Sequence, residues 1–255
     1  MLLAVDIGNT STTLGVFDGE KLRATWHIAT GVHRMSDEYA ALLLNLLRQQ
    51  GLDTTDIKAV ALCSVVPPLI STFEELCERY FHISPLVVGT GVKSGVSIRM
   101  DNPREVGADR IADAAAAHHL YGGPVLVIDL GTATTFGIIS KEGDYIGGII
   151  ATGIATAAEA LFTRTAQLPR VELAPPKHVI GTNTVAAIQS GIIYGYASLV
   201  EGMLARIQKE LGVKAKVVAT GGYAGLIAKE TKVIDVVNPD LTLIGLRLIC
   251  EMNKD

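Results

Sequence analysis

A carboxylate, a glycine, an amide and four hydroxyls stand together near the start of the chain. Residues 5–19 read VDIGNTSTTLGVFDG, with Asp6 at the end of an apolar run and Gly8 two positions later. Backbone N–H groups and hydroxyls that converge in a Gly/Thr-rich turn can surround phosphate oxygens. A neighbouring carboxylate can hold the cation that neutralises phosphate. The stretch therefore indicates a phosphate site, although Asn-Thr and Asp-Gly pairs are also ordinary hairpin turn residues.

The same pattern returns near the middle of the chain. AVDIGNTSTTLGVFD, which begins at residue 4, corresponds to VIDLGTATTFGIIS, which begins at residue 127. Asp129 stands in the place of Asp6, and Gly131 in the place of Gly8. Residues 217–227, VVATGGYAGLI, add a strand, a Gly-Gly turn and a helix suited to an adenosine. Two such turns facing each other across a cleft would hold a nucleoside triphosphate from both sides.

The elements that must position these turns also follow one order in both copies. Each copy begins with three strands and continues with alternating helices and strands, which gives βββαβαβα twice. The pattern predicts an α/β fold of two duplicated halves, each a mixed sheet flanked by helices, with a cleft between them. We expect the halves at 1–120 and 121–255, with helices over about 106–120 and 184–211.

Composition narrows the class of protein. The 255 residues are 49% hydrophobic and 19% charged, with a formal net charge of -4, as in soluble globular proteins. No Lys/Arg-rich stripe is present, which argues against a nucleic-acid partner, and no apolar stretch suits a membrane span. Three cysteines without metal-ligand spacing indicate reduced core thiols in a cytoplasmic protein: Cys63, Cys77 and Cys250.

Several motifs together carry a family resemblance. DIGNT, NPREVGADRIADAAAA, VIDLGTATTF, GTNTVAAIQSGIIYGY and ATGG occur in this order along essentially the whole chain. They resemble the type III pantothenate kinases, within the superfamily of actin, the heat-shock ATPases and sugar kinases. The resemblance implies an actin-like fold and transfer of the ATP γ-phosphoryl group to the primary hydroxyl of pantothenate, the first step toward coenzyme A. It also implies a homodimer with the active site near the interface.

The acceptor site is expected around the GADR motif. A carboxylate can accept the hydroxyl proton in phosphoryl transfer, and the resemblance implies that Asp109 does so. Arg110 could bind the pantothenate carboxylate. Alternatively, Asp109 caps the helix and Arg110 pairs with Asp113. The substrate-binding residues implied by the resemblance are Gly107, Ala108, Asp109, Arg110 and Thr184. Thr184 could instead simply begin its helix, with Thr182 or Asn183 as the cap.

The nucleotide site is expected around the two repeated turns. The resemblance implies ATP contacts from Asp6, Ile7, Gly8, Asn9, Thr10, Ser11, Thr12, Thr13 and Thr132. Asp6 would serve the magnesium of Mg-ATP, and Asp129 would hold a monovalent cation, potassium or ammonium. Met100 departs from the family, which commonly has an aromatic residue there.

The rival functions are another phosphotransferase or ATPase, or a non-catalytic regulator, which would have no need of Asp6, Asp109 and Asp129 together.

Overall fold

The computed structural model describes residues 1–89 and 91–254. The first five strands are β1 (Leu2–Ile7), β2 (Ser11–Asp18), β3 (Lys21–Ala29), β4 (Ala59–Ser64) and β5 (Leu86–Val87). The second five are β6 (Val125–Leu130), β7 (Ala133–Ile139), β8 (Tyr145–Thr152), β9 (Lys216–Thr220) and β10 (Val236–Val237). They form two five-stranded sheets with the orders β3-β2-β1-β4-β5 and β8-β7-β6-β9-β10.

The two sheets repeat one topology. In the first sheet, β1 pairs antiparallel with β2 and parallel with β4. In the second sheet, β6 pairs antiparallel with β7 and parallel with β9. β1 and β6 are central strands, and their apolar sequences LLAVDI and VLVIDL leave only the aspartate partly exposed. The predicted duplication of two mixed sheets is confirmed.

Seven helices flank the sheets within the described ranges. They are α1 (Ser36–Gln49), α2 (Pro67–Leu76), α3 (Ala108–Tyr121), α4 (Ile154–Arg164), α5 (Thr184–Leu211), α6 (Ala224–Ile227) and α7 (Leu241–Met252). A π-helical turn, Cys77–Phe81, continues α2. α5 begins at the cap residue Asn183 and ends at Gly212, whose φ of 69° is a conformation that glycine adopts without strain. No helix in these ranges is long and apolar enough to cross a membrane.

The chain divides into two compact units. One contains residues 1–116 and the C-terminal segment from Leu241, and the other contains residues 117–240. Each unit has its own sheet and its own apolar core. The boundary lies inside α3, before the expected seam at residue 121. The C-terminal helix extends the first unit, whereas the sequence pattern placed it in the second half.

Close packing explains why α7 belongs to the first unit. α7 contacts β1, β4 and β2, and the hydroxyl of Thr242 donates a hydrogen bond of 2.7 Å to Asp113 on α3. The Cα of Gly245 lies directly against the backbone carbonyl of Ala112, with no space for a Cβ. The apolar sequence of α7 therefore finds its partners in the first sheet, and the same contacts fix the position of α3 in that unit.

Candidate active site

Hydrogen bonds within its own backbone and from Thr30 stabilise the turn between β1 and β2. The N–H of Gly8 donates to the carbonyl of Ser11 over 3.0 Å, and a Cβ on Gly8 would approach that oxygen to 2.9 Å. Thr30 donates its hydroxyl to Gly8 O and its N–H to Thr10 O. Asn9, Thr10 and Ser11 are exposed at the tip. The turn thus presents an amide and two hydroxyls on a fixed backbone.

Two of the predicted nucleotide contacts lie beneath this turn. Ile7 and Thr12 are fully buried, and the Thr12 hydroxyl is hydrogen-bonded to the hydroxyl of Thr30 over 2.9 Å. Thr13 is partly exposed and reaches Nδ1 of His27 over 3.2 Å. The side chains of Ile7 and Thr12 therefore support the turn from within the unit instead of forming its surface.

Asp6, at the end of β1, is a carboxylate without a cationic partner. The thiol of Cys63 on the adjacent strand β4 donates a hydrogen bond of 3.3 Å to its Oδ1. No Lys, Arg or His in the described part of the chain forms an ion pair with Asp6. Burial, together with the negative charge of Asp109, raises the pKa of Asp6 from 3.8 to about 7. A bound cation would stabilise the charged form of such a carboxylate.

The GADR segment forms the start of α3. The N–H of Arg110 donates a hydrogen bond of 2.8 Å to Oδ1 of Asp109, and this oxygen leaves no space for a Cβ on Gly107. Within residues 1–89 and 91–254, Oδ2 of Asp109 has no hydrogen-bond partner. The carboxylate is therefore folded over Gly107 and held by one oxygen, while the other remains available to a ligand.

The alternative pairing of Arg110 with Asp113 does not occur. The guanidinium of Arg110 donates to the carbonyl of Glu105 over 3.2 Å, and Asp113 is buried and accepts the hydrogen bond from Thr242. Asp109 does bind a backbone N–H in the first turn, so it also stabilises the helix start. Arg110 is only partly buried and keeps further donors for a ligand.

The turn between β6 and β7 is supported differently from the first turn. The N–H of Gly131 donates to the carbonyl of Ala133 over 3.0 Å. The start of α4 packs on the turn, since Thr156 donates its hydroxyl to Thr132 O over 2.9 Å and Gly153 has no space for a Cβ against the same carbonyl. Thr132 is exposed at the tip, where the resemblance expects an ATP contact.

Asp129 packs against the Gly-Gly turn that follows β9. Gly221 has a φ of 88°, and a Cβ at this position would overlap Oδ1 of Asp129. The N–H of Tyr223 donates to Leu130 O over 3.1 Å and fixes the turn beside the end of β6. Only glycine fits here, so the Gly-Gly turn shapes the surroundings of the Asp129 carboxylate.

Thr184 is the first residue of α5, and Oδ1 of Asn183 accepts the N–H of Ala186 over 2.9 Å as the helix cap. Thr184 is exposed. Sequence reasoning thus identified the helix start correctly. Taken unit by unit, the structure places Asp109 where its negative charge acts on Asp6 in the first unit, and it packs Asp129 against the Gly-Gly turn in the second.

Comparison with known proteins decides the family. The sequence profile of the type III pantothenate kinases matches residues 2–206. The chain belongs to this family. A type III pantothenate kinase from Dehalococcoides mccartyi is 58% identical over 253 residues, which cover 99% of this chain and 98% of the relative. Another, from Geobacillus sp. strain WCH70, is 50% identical over 255 residues, which cover 100% and 99% of the two chains.

Solved structures place the type III pantothenate kinase chain in a wider fold group. The (R)-2-hydroxyglutaryl-CoA dehydratase component A from Acidaminococcus fermentans aligns with a TM-score of 0.55 at 14% identity, covering 99% of each chain. At this identity the similarity shows the fold alone. It agrees with the duplicated α/β architecture of the two sheets.

An ATP-dependent kinase family implies a divalent metal that binds with ATP, and the Asp6 carboxylate has the chemistry of a ligand for such an ion. Within the described residues no group of three or more His, Cys, Asp or Glu side chains could hold a metal ion. Mg²⁺ commonly takes one or two protein carboxylates and completes its ligands with substrate phosphates and water. A single carboxylate that lacks a cationic partner suits this mode of binding.

Sequence reasoning missed two residues that build this site. Cys63 donates to Asp6, and Thr30 donates to the carbonyl of Gly8. Neither belongs to a motif, and both come close to their partners only through strand pairing. The parallel pairing of β1 with β4 places Cys63 beside Asp6, and the sequence analysis made no prediction of strand pairing that could have found it.

We predict that Asp6→Asn makes the folded protein more stable at pH 8. The unfolded chain ionises Asp6 near pH 3.8, whereas in the folded protein its pKa is about 7, so the charged form costs stability at pH 8. Removing the charge should raise the free energy of unfolding by up to about 4 kcal/mol. The gain should shrink as the pH falls from 7 towards 4, where the folded carboxyl holds its proton. Urea unfolding at pH 8 and pH 5 measures both values.

Asp18→Asn is the matched control, because Asp18 is an exposed aspartate at the end of β2. We expect little change in the unfolding free energy from this variant at either pH. An equal gain for Asp6→Asn at both pH values would contradict the assignment of a raised pKa to Asp6.

Proposed function

We propose that this chain transfers the γ-phosphoryl group of ATP to the primary hydroxyl of pantothenate, giving 4'-phosphopantothenate, with Asp109 as the general base. Family membership supports the reaction. The geometry of Asp109 supports its role: Oδ1 is held by the N–H of Arg110, while Oδ2 is available to accept the hydroxyl proton. Phosphoryl transfer needs positioning and charge neutralisation more than covalent chemistry, so one oriented carboxylate is sufficient for proton removal.

The nucleotide side of the site is proposed at the two glycine turns. The exposed tip residues Asn9, Thr10 and Ser11 would contact phosphate oxygens, with Thr132 as a further ATP contact from the second unit. Asp6 would hold the Mg²⁺ of Mg-ATP. When bound, Mg²⁺ neutralises charge on the phosphate oxygens. Asp6 contributes by keeping one carboxylate oriented and without a competing cationic side chain.

The acceptor side is proposed at the start of α3. Gly107 leaves space for the Asp109 carboxylate, and Arg110 presents a partly exposed guanidinium that can bind the pantothenate carboxylate. Thr184 would supply a hydroxyl contact from the start of α5. Met100 is partly buried, and its side chain can pack on an apolar part of the substrate but cannot donate a hydrogen bond. Arg110 would therefore provide the charged recognition, and Met100 would add only packing.

Asp109→Asn should lower kcat by at least about 100-fold, because the amide cannot accept the hydroxyl proton. The KM for ATP should change little, since Asp109 is assigned to the acceptor. The measurement is ADP release with Mg²⁺, ATP and pantothenate, with reactions lacking pantothenate run in parallel.

Asp18→Asn, which removes an exposed carboxylate on β2, should retain wild-type turnover. A folded Asp109→Asn variant with a near wild-type rate would remove Asp109 from the role of base. ADP release by the wild type that does not depend on pantothenate would favour another phosphotransferase or an ATPase. No release at all would favour the regulator.

A monovalent cation is proposed at Asp129. Its carboxylate packs against Gly221 in the Gly-Gly turn, and the resemblance of the VIDLGTATTF motif to the family supports potassium or ammonium as the ion. Turnover should therefore be higher in potassium or ammonium than in sodium at equal ionic strength. Asp129→Asn should reduce that difference severalfold, because the neutral amide binds a cation more weakly. Equal wild-type rates in all three salts would exclude the ion.

A homodimer is proposed through one face of α5. Small side chains lie along this face at helical spacing and are exposed: Ala187, Gly191, Gly195 and Ser198. Nothing lies within 4 Å of the Cβ positions of Gly191 and Gly195, so a second backbone could approach closely. Val179 and Ile180, 67% and 83% exposed, add apolar surface before the helix. Thr184 precedes Ala187 by three residues and shares this face, which would bring the acceptor site near the interface.

Gly195→Glu should convert the dimer to a monomer, because the new carboxylate would be buried between two copies without a partner. Light scattering after size exclusion gives the mass, with the wild type expected at twice the chain mass. Ala41→Glu, at an exposed position of α1, is the control and should remain dimeric. A monomeric wild type would exclude the dimer, and a dimeric Gly195→Glu variant would exclude this face.

A further inference from the structure

Cys63 occupies an unusual place among the three buried thiols. It lies on β4 directly opposite Asp6 in the register of the sheet and is fully buried. Its Sγ lies 3.3 Å from Oδ1 of Asp6, with the thiol as donor. In the part of the chain that the structure describes, this is the one hydrogen bond made by the Asp6 carboxylate. The orientation of that carboxylate therefore depends on a cysteine.

We propose that Cys63 is a positioning residue, whose S–H group turns the Asp6 carboxylate so that the second oxygen, Oδ2, is presented to the magnesium of Mg-ATP. The inference rests on the proposed function of Asp6. Without the thiol, the carboxylate could rotate about its Cβ–Cγ bond at little cost, since no other hydrogen bond fixes it. Outer groups that orient a metal ligand commonly control the affinity of the site for its metal.

An ordinary cysteine thiol is already protonated at neutral pH, so the S–H group is available as the donor seen in the structure. Burial and the charges of Asp6, Asp109 and Asp113 raise the pKa of the thiol well above its ordinary value. A protonated, buried thiol is a poor nucleophile and a weak donor. It can therefore orient one oxygen without neutralising the charge that a cation needs.

Cys77 is the matched control for loss of a buried thiol. Burial and the neighbouring Glu74 and Glu78 raise its pKa to about 12, so it also stays protonated. It lies in the π-helical turn after α2, away from Asp6 in the sequence and outside the site elements. The binding measured for a Cys77 variant therefore shows how the loss of any core thiol of the first unit affects nucleotide binding.

The test compares Cys63→Ala, which removes the donor, with Cys63→Ser, which keeps one, and Cys63→Val, which fills the space without a donor. Isothermal titration calorimetry measures the binding of β,γ-imido-ATP, a non-hydrolysable ATP analogue, with Mg²⁺ and with EDTA. Cys63→Ala and Cys63→Val should weaken binding by about 3- to 10-fold with Mg²⁺ and leave it unchanged with EDTA. Cys63→Ser and Cys77→Ala should stay within about 2-fold of the wild type in both conditions.

Three results would overturn the proposal. They are wild-type Mg²⁺-dependent binding by Cys63→Ala or Cys63→Val, an equal loss with Mg²⁺ and EDTA, and a loss in Cys63→Ser as large as in Cys63→Ala. The binding of Asp6→Asn tests the underlying assumption separately. If Asp6→Asn retains wild-type Mg²⁺-dependent binding, the proposed role of Asp6 itself fails, whatever the cysteine variants do.

Discussion

The Asp6 carboxylate, desolvated near the end of the central strand and subject to the negative charge of Asp109, is the constraint on which the first unit depends. Asp6 lies near the end of the central strand β1 and Asp109 lies in the first turn of α3, and burial, together with the negative charge of Asp109, raises the pKa of Asp6 to about 7. Such an arrangement costs folding free energy, and it persists only because the surrounding structure fixes both positions. A bound cation would relieve the cost. The burial and the neighbouring negative charge that weaken the fold thus also favour a positively charged ligand.

The C-terminal helix α7 fixes the positions of β1 and α3, which carry the two carboxylates. α7 packs against β1 and β4, and its Gly245 allows the backbone of α3 to approach without an intervening side chain. Thr242 then joins α7 to α3 through Asp113, one helical turn after Asp109. The family profile ends at residue 206, before this helix begins. The full-length relatives extend the similarity over this helix, since they match 99% and 100% of the chain.

Each of the two repeated turns follows an aspartate, but different residues contact the two aspartates and stabilise the two turns. Asp6 is held by the thiol of Cys63, and its turn is held by Thr30. Asp129 packs against Gly221, and its turn is held by the start of α4. Identical strand topology with different neighbours allows one fold to give two carboxylates different tasks. The roles that we propose for them, the metal of the nucleotide for Asp6 and a monovalent ion for Asp129, come from the family resemblance, and the different neighbours are compatible with them.

The sequence by itself determined the duplicated strand order, the helix over 184–211, and the residues of both turns and of the GADR segment. Apolar runs, turn residues and the internal repeat are local signals that do not need the tertiary structure. The sequence left open whether Asp109 acts as the base or only caps α3. Packing decided that Arg110 bonds to Glu105 and not to Asp113. Strand pairing decided that Cys63 meets Asp6, and close helix contact decided that α7 joins the first unit. Cys63 and Asp6 are far apart in sequence, as are α7 and the strands it packs on, and Asp113 is taken by Thr242 on α7 while Arg110 bonds to its near neighbour Glu105. No local pattern encodes which distant partner a side chain meets once the sheet has formed.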